Sequence, residues 1–80
     1  MTIEERIKTF LVEEMEIDPA KIKLEARLKE DMGIDSLEVV DTVVFVESEF
    51  GFKMKSEQFK DIKTYGQFVD YITQRVEKEA

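Results

Sequence analysis

Asp35-Ser36-Leu37-Glu38-Val39-Val40-Asp41-Thr42-Val43-Val44-Phe45-Val46-Glu47-Ser48-Glu49-Phe50-Gly51 spells out a helix with both of its ends. Asp35 followed three residues later by Glu38 is a capping box, in which two side chains satisfy backbone N–H groups that the first turn leaves unpaired. Gly51 is the expected stop, because glycine enters the left-handed conformation of a helix end without a Cβ clash. The valines between them favour a strand by propensity, but the cap, the length and the spacing favour a helix. Two apolar stripes run along it: Val39, Val43, Val46 and Phe50 on one line, Leu37, Val40 and Val44 on the next. A single inward face needs only one of them, so the second stripe is either extra core or a contact surface.

Outward from this helix, Ile3, Ile7, Phe10, Leu11 and Met15 recur at helical spacing behind a Thr2/Glu5 capping box, which predicts a first helix from about Thr2 to Glu16. Asp18-Pro19 is expected to end it, since the residue before proline avoids helical geometry. A long connection follows through Ala20 to Ile34, and Ile22, Leu24, Leu28 and Met32 are the residues expected to pin it to the core as an ordered loop. Ser56 to Asp61 supports one short helix. Thr64 with Gln67 makes a third capping box ahead of Phe68, Val69, Tyr71, Ile72 and Val76, which predicts a last helix to about Lys78. The expected fold is all-α: one domain over residues 1–80, a small bundle of three main helices and one short helix, with a long ordered loop between the first two.

The 80 residues carry a net charge of −7, and all of it lies between Glu30 and Phe52. That stretch holds seven carboxylates (Glu30, Asp31, Asp35, Glu38, Asp41, Glu47, Glu49) and no Lys or Arg, while the twelve acids elsewhere are matched by twelve basic residues. Such a surface repels nucleic acid and anionic lipid and favours partners presenting Lys and Arg. The chain has neither Cys nor His. It therefore has no disulfide, no zinc–thiolate site and no cysteine–histidine or serine–histidine pair for hydrolysis. Glu30, Asp35 and Glu38 offer no oxygen cage for a metal, and none is expected. Met1-Thr2-Ile3-Glu4-Glu5-Arg6 is charged where a secretory signal needs its apolar stretch, and no apolar run approaches spanning length, so a cytoplasmic protein without membrane contact is expected.

Ser36 has a plain reading, because Asp and Ser are common at helix starts as backbone caps. Its surroundings add a second. Gly33 allows a turn closed to other residues, Asp35 can do the capping, and Ser36 is then free in the first turn, where partial positive charge and unpaired N–H groups accommodate a phosphoryl group on its hydroxyl.

Asp31-Met32-Gly33-Ile34-Asp35-Ser36-Leu37-Glu38 strongly resembles the attachment motif of acyl carrier proteins. The resemblance extends along the chain, through Thr2-Ile3-Glu4-Glu5-Arg6, Asp18-Pro19, Glu47 to Gly51, Lys63-Thr64 and Asp70-Tyr71-Ile72. It implies a discrete bacterial carrier rather than an enzyme, a monomer in which Ser36, flanked by Asp35 and Leu37, bears 4′-phosphopantetheine placed there from coenzyme A by a phosphopantetheinyl transferase. The arm's thiol would hold acyl groups as thioesters for acyl-transfer and chain-elongating enzymes of fatty acid, specialised lipid or polyketide synthesis. By the family's pattern Asp35, Glu38, Asp41 and Glu47 would meet basic docking patches on those enzymes around an apolar centre of Leu37, Val40 and Val44. Val43, Val46, Met54, Phe59 and Ile62 would line the acyl pocket, although each is equally well explained as core. The chain departs from the fatty-acid type in having Phe45, Phe59 and Phe68 where smaller residues are usual, which implies a smaller or differently shaped pocket. It also has Lys55 where many members have proline, and Lys53 beside it, which points to a dedicated pathway.

Two other readings stay open on the sequence. One is a carrier of aminoacyl or D-alanyl groups using the same serine. The other is an acidic helical adaptor that recognises basic helices, with Ser36 as a cap or phosphorylation site.

Overall fold

The computed structural model describes residues 2–79. Four α-helices follow one another: α1 (Ile3–Glu13), α2 (Ser36–Phe50), α3 (Ser56–Asp61) and α4 (Tyr65–Glu79), with a 3₁₀ turn at Pro19–Lys21 in the long connection. No strand occurs among the described residues, only one isolated antiparallel bridge between Arg27 and Thr64. This is the small helical bundle that the periodicity predicts. No helix among them is long and apolar enough to cross a membrane.

Helix α1 packs on α4 and α2 on α3. Ile7 and Leu11 of α1, Val39, Val43 and Val46 of α2, Phe59 of α3, and Tyr65, Phe68 and Ile72 of α4 share one core. Phe59 and Phe68 meet edge to face there, with ring centroids 5.3 Å apart. The capping boxes form as expected. Glu5 N–H donates to the Thr2 hydroxyl and Thr2 N–H to the Glu5 carboxylate, and those bonds hold the Glu5 carboxyl below its ordinary range. Gly51 ends α2 in the left-handed conformation at φ 80°.

Helix α1 stops earlier than the sequence predicts, at Glu13 rather than Glu16. Three acids, Glu13, Glu14 and Glu16, crowd its negative end with no basic residue in the last turn to offset the helix dipole. Glu16 takes a left-handed φ of 56°, and Ile17 N–H then donates to the Leu11 carbonyl at 3.1 Å. The turn buries Ile17, well before the proline is reached.

The long connection is ordered by backbone hydrogen bonds as well as by buried side chains. Tyr65 and Gly66, the first two residues of α4, donate their N–H groups to the carbonyls of Ala26 and Leu24, each at 2.9 Å, and Gln67 N–H goes to the Thr64 hydroxyl at 3.2 Å. Thr64 N–H goes to the Gln67 side-chain oxygen at 3.4 Å, so all four donors that a helix start leaves without an intrahelical partner are satisfied. Leu28 N–H returns the contact to the Lys63 carbonyl at 3.0 Å. Ile22, Leu28 and Met32 are buried as expected, but Leu24 is 58% exposed: its carbonyl pins the loop, and its side chain does not.

Two measurements test these features. Gly51→Ala places a Cβ at a positive φ where no neighbouring atom compensates, so we expect a loss of about 1 kcal/mol and a Tm lower by roughly 4–8 °C. Tyr65 is 1% exposed, and burial, reinforced by the Glu4 carboxylate, pushes its phenol up to about 12 from 10.0. The unfolded chain ionises this phenol near 10, so the contribution to stability is complete below pH 10 and is lost as pH rises toward 12. Chemical denaturation at stepped alkaline pH, repeated with Tyr65→Phe, should show that the variant lacks this component of the slope.

Candidate functional site

The site gathers at the start of α2. Gly33, at φ 73°, turns the chain, and Ile34 N–H donates to the Leu28 carbonyl at 3.0 Å. Ile34 and Val39, the positions flanking the first turn as a hydrophobic staple, are both buried. Asp35 takes the cap: its carboxylate accepts from Glu38 N–H at 2.9 Å, and Asp35 N–H donates to the Glu38 carboxylate at 3.2 Å. Ser36 is the first helical residue. Its side chain is exposed, and its hydroxyl has no hydrogen-bond partner among the described residues.

A free alcohol at the positive end of a four-turn helix is chemically specific. An ester to a phosphate there would place its negative charge against the helix dipole and the unpaired N–H groups of the first turn. Beside Ser36 opens a cleft of about 440 Å³ with Leu28, Ile34, Val39, Phe59 and Ile62 among its apolar lining and Arg27, Lys29, Lys60 and Lys63 among its charged residues. Phe59 and Ile62 are two of the residues expected at an acyl pocket. Val43, Val46 and Met54 are buried in the core and do not border this cleft. Phe45, expected to narrow the same pocket, is elsewhere: it stacks on Phe10 between α1 and α2, centroids 4.0 Å apart.

The two stripes of α2 separate cleanly. Val39, Val43 and Val46 face the core, while Leu37, Val40 and Val44 are 79%, 50% and 58% exposed, so the second stripe is surface. Asp41 and Glu47 stand exposed beside it without an ion-pair partner among the described residues, and Glu38 is half-buried in its capping role. The acidic run is less uniform in space than in sequence. Arg27 pairs with Glu30 at 2.7 Å and with Asp31 at 3.7 Å, and Arg6 of α1 reaches Glu49 at 3.6 Å. These exposed pairs add little stability, but they concentrate the uncompensated charge on the middle of α2.

Sequence reasoning overlooked Thr42. It is wholly buried within α2, its hydroxyl donating to the Glu38 carbonyl at 2.8 Å and lying 3.5 Å from the Met15 sulfur. Its place one residue before Val43 on the inward line was the available signal. It also overlooked the cations of the cleft, which come from the loop, α3 and the α3–α4 connection and meet only in the folded chain.

Residues 5–72 match the family described as phosphopantetheine attachment site. The match covers most of the chain, and the protein belongs to that family. Domains of this family are the sites of covalent 4′-phosphopantetheine attachment and act as carriers.

The division of labour between neighbours can be tested by stability. Asp35→Ala removes the cap and should cost about 1 kcal/mol, whereas Asp35→Asn, an equally good cap, should keep most of it. Ser36→Ala should leave the urea midpoint unchanged, within about 0.5 kcal/mol of the parent.

Proposed function

We infer that the protein is an acyl carrier protein of the discrete bacterial type, that residues 1–80 form one carrier domain, and that Ser36 is the residue modified. The observation that carries this reading is the unpartnered Ser36 hydroxyl at the first turn of α2, next to an aspartate that has taken over the cap, in a chain of this family. In loading, the Ser36 oxygen forms a bond to the phosphorus of coenzyme A that bears the pantetheine. The pyrophosphate bond breaks, 3′,5′-adenosine diphosphate leaves, and the serine proton passes to a base of the transferase. Once attached, the arm supplies the thiol that a chain without cysteine lacks, and holds acyl groups as thioesters.

The residues of this chain then do two things. Leu37, Val40 and Val44 offer an apolar docking strip, and Glu38, Asp41 and Glu47 meet Lys and Arg on the transferase and on acyl-handling enzymes. Rim charges of this kind accelerate encounter and orient the partner while adding little lasting affinity, which suits a carrier that must be released after each step. The cleft beside Ser36, with Phe59 and Ile62 in its wall, is the place for the first part of a bound acyl chain. A chain reaching Val43, Val46 or Met54 has to part the core, so short cargo is favoured over long. Pathways of specialised lipid or polyketide synthesis use such cargo, as does the early part of fatty acid synthesis. The cytoplasm, where coenzyme A and the transferase are available, is the expected location.

Intact mass before and after incubation with coenzyme A and a broad-specificity phosphopantetheinyl transferase tests the assignment. We expect a gain of one phosphopantetheine that is absent in Ser36→Ala. A folded, unmodified protein that gains nothing from several transferases would refute it and bring forward the acidic-adaptor reading.

A further inference from the structure

A concavity larger than the cleft at Ser36 lies elsewhere on the described residues. It is an open groove of about 860 Å³ between α1 and α2, within the range of roughly 300–1,000 Å³ common for binding sites. Phe10, Met15, Val44 and Phe45 supply its apolar surface. Phe10 and Phe45 stack within 10° of parallel, and Phe50 meets Phe45 edge-on at 5.9 Å. None of the three rings is fully buried, and Val44 is more than half exposed. Around these residues stand Glu13, Glu14, Asp41 and Glu49 against one cation, Arg6, which is already paired with Glu49.

We propose that this groove docks a basic amphipathic helix of a partner protein, and that it does so without covering Ser36. The charge settles the kind of occupant. A neutral or acidic segment would meet three acids that have no ion-pair partner among the described residues, while a helix with Lys or Arg flanking an apolar ridge satisfies them. Apolar side chains at i, i+3 and i+4 of such a helix would seat on the Phe10–Phe45 stack, with the flexible Met15 filling gaps. The position settles the consequence. Val44 follows Ser36 by eight residues, about 12 Å along the helix axis, so a partner in the groove leaves the attachment end of α2 open. The groove shares Val44 and Asp41 with the strip assigned above to the acyl-handling enzymes, so its occupant competes with them for the middle of α2 while Ser36 itself stays uncovered.

The test is a titration of the full-length, isotope-labelled chain with an amidated Leu/Lys amphipathic helical peptide, followed by amide chemical shifts. The expected result is saturable shifts centred on Thr9, Phe10, Glu13, Phe45 and Ser48, with none from a Leu/Glu peptide of the same length. Glu13→Lys combined with Glu14→Lys should weaken binding at least tenfold without lowering the Tm, since Lys suits the negative end of α1, and with the loading of Ser36 unchanged. Shifts centred on Leu37 and Val40, undiminished affinity in the double variant, or no saturable binding would each overturn the proposal. The carrier assignment is untouched by any of these, because it is read from mass, and its own failure leaves the groove titration standing.

Discussion

Three backbone groups at the start of α4 hold the molecule in its working form. Tyr65, Gly66 and Gln67 would each leave an N–H without a partner, and the solution adopted is to draw the α1–α2 connection across the end of the helix so that Ala26 and Leu24 supply two of the acceptors. An unsatisfied buried N–H costs on the order of 1–3 kcal/mol, so the arrangement is strongly held. Once Leu24 to Leu28 is fixed, Ile34 is fixed by its bond to Leu28, and Asp35 and Ser36 follow directly. The end of one helix thus positions the beginning of another through a stretch of chain with little regular structure of its own.

The electrostatics show a similar economy. A run of seven carboxylates without a cation reads as a continuous negative surface, but folding brings Arg6 to Glu49 and sets Arg27 against Glu30 and Asp31. Self-repulsion is relieved at both ends of the run and retained in the middle, where Asp41 and Glu47 flank the exposed Leu37, Val40 and Val44. Charge is kept where a partner would use it. The cleft beside Ser36 has Lys29, Lys60 and Lys63 in its lining along with Glu30 and Asp35, so cations gather there while the middle of α2 stays acidic.

What could be read from the sequence was whatever is settled within a few residues. The caps at Thr2, Asp35 and Thr64, the glycine stop at Gly51 and the inward line of Val39, Val43 and Val46 depend on local chemistry, and each is found in place. The exposure of Leu24 was not legible, because an apolar residue in a loop looks the same whether its side chain or its carbonyl does the holding. The early end of α1 depends on the burial of Ile17 and on a left-handed Glu16, a conformation that no glycine announced. The Phe10–Phe45 stack joins two helices that the sequence does not relate, so the sequence offers no sign that Phe45 packs against α1 and away from the cleft. At the candidate site the motif singles out Ser36 as a candidate, but the cleft beside it is assembled from four segments and is visible only in the fold.

The unpartnered Ser36 hydroxyl has a consequence for signalling. Substituting that oxygen, as the proposed role requires, breaks no hydrogen bond of the bundle, so the fold around it can take a group without rearranging its caps. A protein that must tell the two states apart has to inspect the appendage itself, or the cleft it enters. On the proposed assignment the caps at Thr2, Asp35 and Thr64 are the same in both states, and the difference between them lies in the appendage.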